Sequence, residues 1–168
     1  MTRAAALVLL MHAAACAPRQ TAATSQETSP AQDPTSAPAI TLERTACFGR
    51  CPVYRIAVSP TGSVSYEGTA NVRRIGAATS QIPADQVTAL TRELEQAGYF
   101  SFADLYTSTE LSCGRYATDL PTVITSVTLR GRTKRIEHDY GCGGVPGALA
   151  VLERRIDEVL RSSQFTGR

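Results

Sequence analysis

Four cysteines, Cys47, Cys51, Cys113 and Cys142, lie in the part of this 168-residue chain that can fold, and a fifth, Cys16, closes its first apolar run. An even set in a domain of about 120 residues constrains the fold strongly, because each pairing holds two segments within about 7 Å. Whether the thiols pair depends on compartment. Disulfides are the default in exported proteins and rare in the cytosol.

The first residues read as an address. Arg3 supplies a positive start, Ala4 to Met11 a short apolar core, and Ala13, Ala14 and Ala15 are small residues beside a cut site. This predicts a signal peptide over 1–15, and no apolar run reaches the roughly 18 residues of a membrane span. Two processing routes fit. One is ordinary secretory cleavage. In the other, Cys16 becomes an acylated first residue, since Ala13-Ala14-Ala15-Cys16 resembles a bacterial lipobox with alanine where leucine is commonest.

Residues 16–39 favour acylation. Pro18, Pro30, Pro34 and Pro38 alternate with Ser, Thr and Ala and almost no large apolar residue, which predicts a disordered tether. A mobile tether suits a domain anchored to a membrane through Cys16. Ala17 is not the aspartate that retains many inner-membrane lipoproteins, so the outer membrane is expected. Without acylation the protein is periplasmic or secreted. The 17 basic against 15 acidic residues, net +2, give no electrostatic case for a nucleic-acid partner.

Residues 40–163 are expected to form one domain, with 164–168 as a tail. Strands are predicted at 40–45, 53–59, 63–67 and 71–75, the last broken by Gly76 to Thr79. Val87, Leu90, Thr91 and Leu94 recur at helical spacing after Pro83, and Gly98 fits a left-handed stop. Tyr99, Phe100 and Phe102 then form an aromatic plug. A loop covers 107–121. Val123, Thr125, Val127 and Leu129 alternate with Ile124, Ser126, Thr128 and Arg130, Gly131-Arg132 makes a turn, and Ile136, His138 and Tyr140 share a face. Leu149, Leu152, Ile156, Val159 and Leu160 mark a second helix. The order β-β-β-α-β-β-α predicts an α+β fold, a mainly antiparallel sheet of about five strands with two helices on one face.

Three connectivities are open to the four domain cysteines. The favoured one pairs Cys47 with Cys51, stapling Phe48-Gly49-Arg50, and Cys113 with Cys142; the rivals join Cys47 or Cys51 to the later pair. A periplasmic thiol-disulfide oxidoreductase using Cys47 and Cys51 is the alternative function. It lacks the usual C-x-x-C spacing, and Pro52-Val53 lead into a strand where a redox thiol needs a helix N-terminus. A zinc site would need four free thiols in an oxidising compartment, so no metal and no cofactor are expected.

Four blocks carry a family resemblance: Ile40-x-Leu42-Glu43-Arg44-x3-Phe48-Gly49-x-Cys51-Pro52-x-Tyr54, Thr61-Gly62-x-Val64-x-Tyr66-Glu67-Gly68, Thr118-Asp119-x-Pro121-Thr122, and Tyr140-Gly141-Cys142. Over nearly all of 40–160 they resemble a bacterial envelope family catalogued as domain of unknown function 6438. The Cys-Phe-Gly-x-Cys-Pro-x-Tyr block is the most specific, and the Cys-containing loop from Thr107 to Ala117 is a departure. The resemblance implies a lipoprotein or secreted module and supplies no activity, so no catalytic residue is assigned.

The residues themselves add little chemistry. His138 is the sole histidine of the domain, and Asp139 points to the opposite face of its strand. It reads as a half-buried strand histidine with no partner that spacing selects. Gly141-Cys142-Gly143-Gly144 lacks the Gly-Lys-Ser/Thr end of a phosphate loop and reads as a tethered turn. The most suggestive surface is the stapled loop, with Phe48, Arg50 and Tyr54 as a candidate binding group and Arg55, Arg73 and Arg74 near in sequence. The expected function is a non-catalytic binding or structural module of the cell envelope, whose partner is an envelope protein or cell-wall component.

Overall fold

A computed structural model describes residues 39–168. The segments expected as signal peptide and tether, with Cys16, lie outside the described residues up to residue 38. Seven strands, β1 (Ile40–Arg44), β2 (Val53–Val58), β3 (Ser63–Ala70), β4 (Gly76–Gln81), β5 (Leu105–Tyr106), β6 (Thr122–Leu129) and β7 (Arg132–Asp139), form one sheet in the order β4-β3-β2-β1-β6-β7-β5. All neighbours are antiparallel except the two-residue β5 against β7. Helices α1 (Ala84–Gln96), α2 (Gly147–Val159) and α3 (Ser163–Thr166) complete the fold. It is α+β, with two more strands and one more helix than the pattern predicts.

Register explains the core. Ile40 lies between Val58 and Val127, Leu42 between Ile56 and Thr125, and Arg44 between Tyr54 and Val123. Because side chains alternate along a strand, these rows share one face. Val87, Leu90 and Leu94 of α1 and Leu149, Leu152 and Ile156 of α2 pack on it. Each such side chain contributes about 1.5–3 kcal/mol by leaving water. Tyr99 is fully buried, and its hydroxyl meets Thr125 Oγ1 at 2.7 Å, so the plug satisfies its own polar end.

Four expectations need correction. Residues 71–75 are a turn and not a strand: Asn71 has φ 56°, and the strand begins at Gly76, where a break was expected. The hairpin turn is Arg130-Gly131, one residue earlier than Gly131-Arg132. Both residues have positive φ (51° and 75°), as the twist-matched two-residue turn requires. Residues 164–168, expected as a tail outside the domain, pack onto it: Phe165 and Thr166 are buried, and the Phe165 ring stacks on Tyr66 at 4.4 Å. His138 is not half-buried but 4% exposed.

Candidate functional site

β1 ends, β2 begins, β6 begins and β7 ends at one pole of the sheet, so side chains from four strands converge there. The inward alternation that buries Ile40 and Leu42 also points Arg44 into the core. Its Nε and Nη2 donate to Asp157 Oδ2 at 2.9 and 2.7 Å, and its Nη1 donates to Tyr140 Oη at 3.4 Å. Tyr54 Oη donates to Asp157 Oδ1 at 2.5 Å. Tyr140 Oη donates to Glu153 Oε2 at 2.9 Å, and His138 Nδ1 lies 2.8 Å from Glu153 Oε1. The result is a continuous chain, Tyr54–Asp157–Arg44–Tyr140–Glu153–His138, roofed by α2.

Burial sets the electrostatics. For Arg44 burial works against the charged form, but the Asp157 carboxylate and the Tyr140 hydroxyl outweigh it, and its pKa is raised. Tyr54 is raised by burial first and by the Asp157 carboxylate second. Tyr140 is raised by burial and by Glu153. With His138 at 4% and Glu153 at 1% exposure, no substrate reaches this pair without lifting α2. The network is an internal brace. Spacing left His138 without a partner; one signal did point to Glu153, an acid four residues after Leu149 on an apolar stripe, facing the strand that carries an inward histidine.

Both disulfides sit at this pole. Cys47 pairs with Cys51 (Cα–Cα 5.7 Å) and Cys113 with Cys142 (Cα–Cα 4.6 Å). The second is buried, and its surroundings explain the glycines. Ala117 N–H donates to Gly141 O at 2.8 Å, Gly143 N–H to Arg115 O at 2.7 Å and Gly144 N–H to Cys113 O at 2.7 Å. A Cβ on Gly141 would collide with the Ala117 carbonyl and one on Gly144 with the Ser112 carbonyl, so the loop from Ser112 runs directly against these glycines.

The Cys47–Cys51 loop is presented outward. Phe48 is 88% exposed while its backbone N–H donates to Asp119 O at 3.1 Å. Asn71 Nδ2 holds Cys51 O at 3.0 Å, and Arg168 Nη2 holds Arg50 O at 2.9 Å. Phe48 and Arg50 are therefore exposed on a pinned loop. Tyr54 does not join them: at 3% exposure it belongs to the buried chain. Arg55 faces the open side of the sheet opposite Glu43, whereas Arg73 and Arg74 lie in the β3–β4 turn against Phe165 and Thr166.

Nothing here points to an oxidoreductase: no helix begins at Cys47 or Cys51, and β2 starts two residues after the second. Among the described residues, no three His, Cys, Asp or Glu side chains are grouped to hold a metal ion. No helix among them is long and apolar enough to cross a membrane.

No curated protein matches the chain. A family model described as Domain of unknown function (DUF6438) matches residues 38–160, and the chain belongs to that family.

Proposed function

We propose that this protein is a bacterial cell-envelope lipoprotein, acylated at Cys16 and held to the outer membrane, that displays a non-catalytic binding module on a flexible tether. The observation that carries the binding half is Phe48: a large apolar side chain 88% exposed on a loop closed by a disulfide and pinned by two neighbouring segments. An ordered loop loses little entropy on association, and aromatic and Arg anchors dominate interfaces. The anchoring half is supported by the lipobox-like Ala13-Ala14-Ala15-Cys16 and the Pro- and Ser-rich segment after it. The partner is an envelope protein or a cell-wall component.

Palmitate labelling of the expressed chain beside its Cys16→Ala variant tests the anchor: label in the first and none in the second is expected, and equal labelling removes it. In-cell crosslinking of the Phe48→Ala and Arg50→Ala chains tests the loop. Loss of an adduct with unchanged protein level is expected, and retention of every adduct by both variants removes the loop as the binding element.

A further inference from the structure

Three segments meet beside the stapled loop: Arg50, the β3–β4 turn at Asn71–Arg73, and the end of α3 at Thr166–Arg168. Together they line a cleft of ≈ 420 Å³, within the usual size of a small-ligand site. The cleft is built and not accidental. Arg73 N–H donates to Thr166 O at 3.2 Å and Arg74 N–H to Phe165 O at 2.9 Å. Asn71 Nδ2 donates to Cys51 O and Arg168 Nη2 to Arg50 O. Every segment is thus tied to another by hydrogen bonds, two between backbones and two from a side chain to a backbone carbonyl.

Its charge is one-sided. The lining contains Arg50, Arg73 and Arg168 and no acidic side chain. None of the three is in a salt bridge among the described residues, whereas Arg44, Arg55, Arg130, Arg135 and Arg155 each face a carboxylate. Arg73 spends one Nη2 on Ser163 O and Arg168 one on Arg50 O. Carbonyl oxygens do not neutralise a guanidinium, and each guanidinium has five donors. Planar donor forks with uncompensated positive charge fit the oxygens of a phosphate.

We propose that the Arg50–Arg73–Arg168 cleft binds a phosphate-bearing anion. This deepens the binding reading above, whose loop supplies Arg50, and it does not require the acyl anchor. The source is either a soluble phosphate compound or a phospholipid headgroup, and two probes separate them: inorganic pyrophosphate followed by calorimetry, and sedimentation with phosphatidylcholine vesicles with and without phosphatidic acid. The full chain carrying Cys16→Ala is used, so that no acyl chain binds the vesicles. Arg50→Ala is the main variant because the Arg50 side chain is exposed and makes no hydrogen bond or salt bridge among the described residues. Arg154→Ala, exposed on α2, is the control.

Saturable binding to at least one probe is expected, weakened about tenfold or more by Arg50→Ala and further by Arg50→Ala/Arg73→Ala, with Arg154→Ala unchanged. Binding of pyrophosphate without vesicles assigns a soluble phosphate; binding of phosphatidic-acid vesicles without pyrophosphate assigns a headgroup. Binding to neither probe, equal binding by Arg50→Ala, or an equal loss in Arg154→Ala overturns the proposal. A chain that takes no palmitate but shows the Arg50-dependent binding would lose its anchor and keep its cleft.

Discussion

Beneath the Cys47–Cys51 staple, the side chains of Arg44 and Asp157 are 15% and 17% exposed and are bonded to each other and to Tyr54. On top of it Phe48 is 88% exposed, and Arg50 faces no carboxylate. Arg44 and Phe48 lie close to each other in sequence, on β1 and the loop after it, and are used oppositely. Burying a charge costs several kcal/mol unless partners surround it, so interior groups are committed to one another and their loss is felt by the fold. Exposed groups contribute little to stability and remain available to a partner. The pole is thus braced inside and free outside.

The sharpest way to break this contrast is Asp157→Ala. It strands the Arg44 guanidinium and removes the acceptor of Tyr54, and should cost about 3–5 kcal/mol in urea unfolding. Arg55→Ala, on the open face of the sheet with Glu43 at 3.6 Å and 57% exposed, should cost less than about 1 kcal/mol. Similar losses for the two would end the distinction between layers.

The disulfides extend the comparison. Removing Cys113–Cys142 by double serine substitution opens a loop with a sequence separation of 29 and should cost about 3.6 kcal/mol by loop-closure entropy. Removing Cys47–Cys51, with a separation of 4, should cost about 2 kcal/mol and loosen Phe48. A larger loss at the short staple would mean that the outer loop, not the inner one, holds the pole.

High pH probes the interior without a mutation. Burial raises the Tyr54 pKa, reinforced by Asp157, and burial raises that of Tyr99 against an opposing hydrogen bond from Thr125. Both phenols stay protonated in the fold after an unfolded tyrosine has ionised near 10. The native state then holds more protons than the unfolded one, so this stability is complete below pH 10 and declines above it, by as much as about 1.4 kcal/mol per pH unit for each group. Urea midpoints between pH 9 and 11.5 should fall accordingly, with a shallower slope for Tyr54→Phe. A flat profile through pH 11 would show that these hydroxyls reach solvent.

Much of the fold was legible because its faces are one-sided. Val123, Thr125 and Val127 are buried at every second position of β6, and Leu90, Leu94, Leu149 and Ile156 recur at helical spacing, since one side of each element meets the core. β4 was not legible. Gly76, Ala77, Ala78, Thr79, Ser80 and Gln81 form an edge strand with no fully buried residue, so no apolar period marks it. The tail hid its packing in a single ring, Phe165. The network was hidden for a different reason: Arg44 and Asp157 are residue types usually found in solvent, and only tertiary placement of α2 over β1 and β7 joins them and Glu153 to their partners.

The smallest effect concerns two stacked tyrosines. Tyr54 and Tyr66 lie on neighbouring strands with ring centroids 5.7 Å apart, and both are 3% exposed. Tyr54 donates to a carboxylate, but Tyr66 Oη is buried without a partner among the described residues. Tyr54→Phe should cost about 1.5–3 kcal/mol, the usual value of a hydrogen bond to a charged group. Tyr66→Phe keeps the ring against Phe165 and removes only the unsatisfied hydroxyl, so the fold should be unchanged or stabilised by up to about 1 kcal/mol. The pair separates what a phenol contributes by packing from what it contributes by bonding. A loss at Tyr66 equal to that at Tyr54 would mean that a bound water satisfies Tyr66 Oη and that the braced interior reaches one strand further toward β4.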